Sequence, residues 1–338
     1  MIDPAPLPFK SDPKRERRLE DIRREAEKLG RMEVAGRRPA GAPFPQATPE
    51  HGYYGTPMLK QAPWSWEIPL YFFVGGAAGA AGVIGAIARY TGADPRLVRD
   101  ARWIATAGSV ISPALLISDL GRPERFLAML RVFKPQSPMS VGVWTLLGFS
   151  SGTAAAAMAG FLGERYGSSL PLRVLENAGE FASMAFGLPL SNYTGVLIGA
   201  TAIPVWNENA GELPVHFGAS GLSAAVGLLE LFGHERNRAL QMLGIGAALA
   251  EMWTGARMEG RSRPQLRPLK EGPSGWITRT GGLLSGPIPL ALRLMSVAGK
   301  KNSASFRRYA AWSAVAGSLI TRVAWLYAGQ VSARNAKA

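Results

Sequence analysis

No cysteine occurs in the 338 residues, so this protein forms no disulfide and offers no thiolate to zinc or to an iron–sulfur cluster. Histidine is nearly as scarce, with three: His51, His216 and His234. A haem held between helices by two axial histidines needs two of them in the interior, and only His216 lies within an apolar segment. The protein is therefore expected to carry no haem and no metal of its own. Charge is sparse too: 18% of residues are Asp, Glu, Lys or Arg, against about 25% in a soluble domain. What charge there is leans basic, at +14 net. No basic stripe is interleaved with aromatics, so nucleic acid is not an expected partner. In a sequence with long apolar runs, basic residues mark loops and contacts with lipid headgroups.

Those apolar runs dominate what is present. Hydrophobic residues make up 47% of the sequence, and from residue 68 onward they recur in segments close to the ~20 residues that cross a bilayer. Eight spans are expected, at 68–88, 101–118, 140–162, 180–206, 213–232, 239–258, 282–299 and 309–330. The fold class is thus an all-α integral membrane bundle of eight transmembrane helices with a polar amino-terminal extension. Residues 1–62 form that extension and 63–338 the membrane domain. Within the extension, residues 14–32 mix both charge signs around Leu19, Ile22 and Ala26, the pattern of a solvated or partner-docking helix. No apolar stretch follows the early basic residues, so no cleavable signal peptide is expected. Basic residues occupy loops on both sides, which leaves the orientation open. In the first span, glycines at 75 and 79 and at 76, 79, 82 and 85 predict a face for close helix packing.

The sequence is organised around residues 115–144, where one apolar helix ends at Asp119-Leu120-Gly121-Arg122-Pro123 and another begins at Ser137-Pro138. Pro123 stops the helix, and Asp119 and Arg122 are placed to pair across the turn. Ionisable groups inside spans are costly and mark sites. Glu67 and Tyr71 share a helical face at i, i+4, flanked by Trp64 and Trp66, which suggest an interfacial belt. A carboxylate and a phenol so placed can hydrogen-bond a quinone carbonyl and relay its proton, or simply face headgroups. Pro189, Asn192, Tyr193 and Thr194 bring polar groups to depth in the fourth span, for a ligand or for helix–helix bonding. His216, Glu251 and Arg293 are proton-transfer candidates, with a structural Glu251–Arg293 ion pair as the alternative; Arg322 also needs a partner.

The runs WSWEIPLYFFVGGAAGAAGV, DLGRPERFLAMLRVFKPQSPMSVGVW, YTGVLIGATAIPVW and LPVHFGASGLSAA stand in this order along the sequence. Together they resemble the NrfD/polysulfide reductase membrane-subunit family, over residues 64–330. The resemblance implies a haem-free membrane protein that exchanges electrons with menaquinone or ubiquinone. It also implies two partners: a four-cluster ferredoxin-like iron–sulfur subunit and a molybdopterin catalytic subunit, in a bacterial inner membrane. Carried over, the family's quinone-site positions fall at Glu67 and Tyr71 and at Tyr193. Asp119 and Arg122 match its Asp-x-Gly-Arg-Pro motif. The family more often has Asn or His where Glu67 and Tyr71 stand. A transporter or proton-translocating subunit, or a plain anchor without a working quinone site, are the competing readings.

Overall fold

The computed structural model describes residues 59, 62 and 64–334, apart from 121, 262 and 300–302. The helix expected over residues 14–32 and nearly all of the extension lie outside the described residues, as does Gly121. Among the described residues all regular structure is helical. The long elements are α1 (Glu67–Tyr90), α2 (Pro95–Asp119), α4 (Pro138–Tyr166), α5 (Leu170–Gly199), α7 (Leu213–Leu229), α8 (Arg238–Glu259) and α12 (Ser303–Arg334). Two shorter helices, α10 (Gly272–Ser285) and α11 (Pro287–Ala298), follow one another across a break. Brief turns α3 (Glu124–Met129), α6 (Pro204–Asn207) and α9 (Arg267–Lys270) fill the connections.

The starts are written in the sequence. Asp94 caps α2 by accepting the Arg96 N–H, Asn237 caps α8 by accepting that of Leu240, and Ser137 caps α4 ahead of Pro138. Gly92 and Gly167, at φ 70° and 91°, turn the backbone after α1 and α4 in a left-handed geometry that suits glycine. Six stretches are long and apolar enough to cross a membrane: α1, α2, α4, α5, Leu213–His234 and Gly272–Ala298. The helices α8 and α12, which the sequence pattern marks as the sixth and eighth spans, are comparably long but contain no stretch as apolar as those six, and they hold Glu251 and Arg322. Large apolar side chains such as Trp103, Phe161, Phe181 and Trp253 point outward, as a lipid-facing exterior requires.

Several boundaries differ from the sequence expectation; α5 begins ten residues before 180, at Leu170, and α10 ten before 282, at Gly272. The apolar pattern carries the fourth span to residue 206, but α5 ends at Gly199 and Pro204 begins the separate turn α6. Trp206 therefore leaves the span and is buried at the bundle end, its indole N–H donating to the Trp325 carbonyl at 2.8 Å. Trp64 stacks on it at 5.5 Å, whereas Trp66 stays exposed; only Trp66 keeps the interfacial place expected for both. The seventh span, expected as one helix over 282–299, is broken at Gly286. Pro287 and Pro289 remove the N–H groups that would continue the hydrogen-bond ladder.

Helix α1 is the hub, packing on α2, α5, α7 and α12. Its glycine face makes this possible. A methyl group added at Gly79 would lie 2.6 Å from the Gly187 carbonyl of α5, and one at Gly76 would lie 3.8 Å from the Gly221 Cα of α7. The backbones touch with no side chain between them. Gly79→Ala is expected to destabilise the fold by about 1–3 kcal/mol through overpacking. Thermal unfolding in detergent checks this, with Gly246→Ala as control, since a methyl there meets nothing within 4 Å and should leave the transition unmoved.

Candidate functional site

At the end of the bundle where α1 begins, three polar side chains meet. The Ser65 N–H donates to Asp119 Oδ1 at 3.2 Å, and the Ser65 hydroxyl lies 2.5 Å from the same oxygen. That hydroxyl also contacts the Glu67 carboxylate. Ser65 thus bridges the first turn of α1 to the last residue of α2. A hydroxyl has one proton and two lone pairs, so Glu67, Ser65 and Asp119 form a relay along which a proton can be exchanged. Arg122, by contrast, is exposed and forms no ion pair with Asp119. The pairing expected across the turn is replaced by Ser65, whose N–H and hydroxyl both reach the carboxylate from the approach to α1.

One turn deeper, Tyr71 is buried, at 2% exposure. Among the described residues the hydrogen bonds at this end of the bundle include those of Ser65, of Tyr193 and of Gln330 to the Trp64 carbonyl, and none involves the Tyr71 hydroxyl. A carbon added at Gly75 would touch the Ser112 hydroxyl at 3.5 Å and the Tyr71 ring at 3.6 Å, so tyrosine and serine border one gap that glycine leaves open. Ser112 is also buried, and its hydroxyl has no partner among the described residues. Unsatisfied buried polar atoms are rare and point to a ligand or water. Sequence reading missed Ser112 and Ser65, whose small side chains carry no motif; only the folded neighbours make them conspicuous.

Tyr193 comes to the same end from α5. Its hydroxyl donates to the Pro138 carbonyl at 2.6 Å, and its ring lies on Gly142, where an added carbon would overlap the tyrosine Cζ. Tyr193 therefore uses its own proton to pin α5 to the first turn of α4. Neither Asn192 nor Thr194 bonds across helices: Asn192 donates to the Leu188 carbonyl of its own helix at 2.8 Å, and the Thr194 hydroxyl has no partner among the described residues.

The other ionisable candidates are sorted differently from the sequence expectation. Arg293 does not pair with Glu251. It forms a two-pronged pair with Glu230, at 2.5 and 2.7 Å, and both are essentially inaccessible to solvent. Glu230 opens a single π-helical turn at the end of α7, and Gly244 of α8 makes room, since a side chain there would overlap the Arg293 guanidinium. The reason is placement along the broken span. Glu251 borders the same cavity as Ser285, ahead of the break at Gly286, whereas Arg293 lies six residues into α11, beyond it. Arg322 is held by the Phe217 carbonyl at 2.9 Å and by the hydroxyls of Ser220 and Ser318, over the Phe217 ring. His216 bonds Thr254 at 2.9 Å through Nδ1. Among the described residues no three His, Cys, Asp or Glu side chains gather to hold a metal.

An apolar-walled helical bundle with buried polar groups between its spans defines an integral membrane protein of the α-helical class. The chain belongs to the NrfD polysulphide reductase family, whose model matches residues 56–333. It is also similar to the C subunit of polysulfide reductase from Wolinella succinogenes, with 27% identity over 305 residues that span 79% of the present sequence and 94% of that protein. This makes it a membrane subunit of a reductase complex.

Removing one member of the closed ion pair should be costly. Glu230→Gln is expected to lower stability by about 3–5 kcal/mol, because it leaves the Arg293 charge buried without its counterion. The Glu230→Leu/Arg293→Met double variant should recover most of that loss, as read by thermal unfolding in detergent.

Proposed function

We propose that this protein is the quinone-interacting membrane anchor of a respiratory reductase, passing electrons between a four-cluster ferredoxin-like iron–sulfur subunit and menaquinone or ubiquinone. A molybdopterin subunit, acting on polysulfide or a related acceptor, completes the complex in a bacterial inner membrane. The observation that carries this reading is the pairing of two buried hydroxyls, Tyr71 and the unpartnered Ser112, with a proton relay one turn above them. These groups suit a lipophilic ligand that bears carbonyl oxygens: donors at depth, apolar walls, and a proton route to water.

A bound quinone supplies two-electron, two-proton redox chemistry. The protein's own part is positional and protonic. Tyr71 and Ser112 donate to and orient a carbonyl oxygen. Glu67, four residues before Tyr71 on the same helix face, exchanges the proton with Ser65 and Asp119 at the water side. Arg122 adds positive charge at the rim. Tyr193 is a positioning residue that sets the spacing of α4 and α5 through Pro138.

The test is quinol oxidation by the purified complex. Tyr71→Phe is expected to lower kcat/KM about tenfold, the worth of a lost hydrogen bond in a buried site. Asp119→Asn should slow kcat by on the order of a hundredfold through loss of the proton acceptor. Tyr193→Phe and Gly142→Ala should both raise KM more than they lower kcat, since each disturbs only the α4–α5 spacing. Wild-type turnover in Tyr71→Phe and Asp119→Asn together would reduce the protein to a plain anchor.

A further inference from the structure

The second half of the bundle holds a buried carboxylate that the proposed quinone site does not use. Glu251, midway along α8, is 3% exposed; the hydroxyls of Ser285 and Ser220 stand near its carboxylate, but neither of its oxygens is in a hydrogen bond of standard geometry among the described residues. It borders a cavity of about 240 Å³ that is also lined by His216, Ser285 and Thr321. The hydroxyls of Ser285 and Thr321 are buried and unpartnered as well. A carboxylate and two hydroxyls left unsatisfied around one space are what water would satisfy, and the space is large enough for several molecules.

The cavity has a direction. Its lining follows α8 from Glu251 through Gly255 to Glu259, which is exposed where the helix ends. That is eight residues, or about 12 Å of helix. Its other wall is the break between α10 and α11. Pro287 and Pro289 offer no N–H to the carbonyls of Leu283 and Ser285, so irregular backbone stands at membrane depth. Such backbone is tolerated there when it is buried in protein or lines a watery space. Beyond Glu251, toward the opposite end of the bundle, the closed Glu230 and Arg293 pair stands in the way.

We propose that Glu251 is a proton-exchange site reached by water from one end of the bundle only, through this half-channel. The step is a simple transfer: hydronium in the cavity gives its proton to the carboxylate, leaving water and the carboxylic acid, and the reverse releases it. The charged and titratable groups around it are His216 of α7, Arg322 of α12 and Glu259 of α8; α10 contributes only hydroxyls. His216 is tied through Thr254, three residues from Glu251. Arg322 lies close enough to interact electrostatically with Glu251 without forming an ion pair, so the acid can gain and lose its proton beside a fixed positive charge. That charge and so few oxygen donors disfavour a metal cation in its place.

The test is infrared spectroscopy of the full-length protein in lipid vesicles, with no quinone or partner subunit present. The protonated Glu251 should give a carboxylic C=O band that shifts in D₂O, vanishes in Glu251→Gln and falls about tenfold per pH unit above its titration point. Gly255 and Gly282 both line the cavity, and a carbon added at either meets nothing within 4 Å, so a larger side chain fits there without disturbing the backbone. Gly255→Leu should plug the channel and slow the D₂O exchange of that band at least tenfold. A band unchanged in Glu251→Gln, no titrating band at all, or exchange as fast in Gly255→Leu as in the wild type would each overturn the proposal. Because the readout needs no quinol turnover, its failure is separate from failure of the quinone reading.

Discussion

Lipid offers no hydrogen bonds, and that one constraint shapes nearly everything in this molecule. Each polar group carried into the spans must find its partner within the bundle or border a space that holds water. Arg322 finds a carbonyl and two hydroxyls. Arg293 finds Glu230. The groups that find nothing, Ser112, Ser285, Thr321 and Glu251 among them, are the ones that point to chemistry. Satisfied groups hold the structure together, and unsatisfied ones mark where something else enters.

Glycine is the second half of the same solution. Without a hydrophobic driving force between helices in lipid, association relies on close packing and interhelical bonds. Helix α1 meets α5 and α7 backbone to backbone at Gly79 and Gly76. Glycine also creates room for function: Gly142 receives the Tyr193 ring, and Gly244 receives the Arg293 guanidinium. The same absence of a side chain serves contact in one place and a polar group in another.

The two candidate sites lie in different halves of the bundle. The first gathers the start of α1, the end of α2 and the first turn of α4 near the water boundary. The second sits at depth beside a broken helix, where a single carboxylate faces a cavity. One is arranged to hold a ligand's oxygen atoms and the other to hold water. A membrane subunit of a redox complex has use for both, since electrons delivered to a lipophilic carrier must be matched by protons.

Much of this was legible before any folding was considered. Apolar segment length, the glycine spacing of the first span, the helix start at Ser137-Pro138 and the match of Asp119 to a family motif are local properties, readable because lipid thickness and helix geometry fix their scale. Asp119, Glu67 and Tyr71 could be named as candidates for the same reason. Which partner each polar group takes is not local. Ser65 displaces Arg122 as the neighbour of Asp119, Glu230 displaces Glu251 as the neighbour of Arg293, and Ser112 emerges only beside Gly75. Those choices depend on the axial offset and rotation of helices far apart in sequence, which a one-dimensional pattern does not encode. The sequence alone determined that this protein is a helical membrane bundle; tertiary packing alone decided which of its polar groups are closed and which stand open.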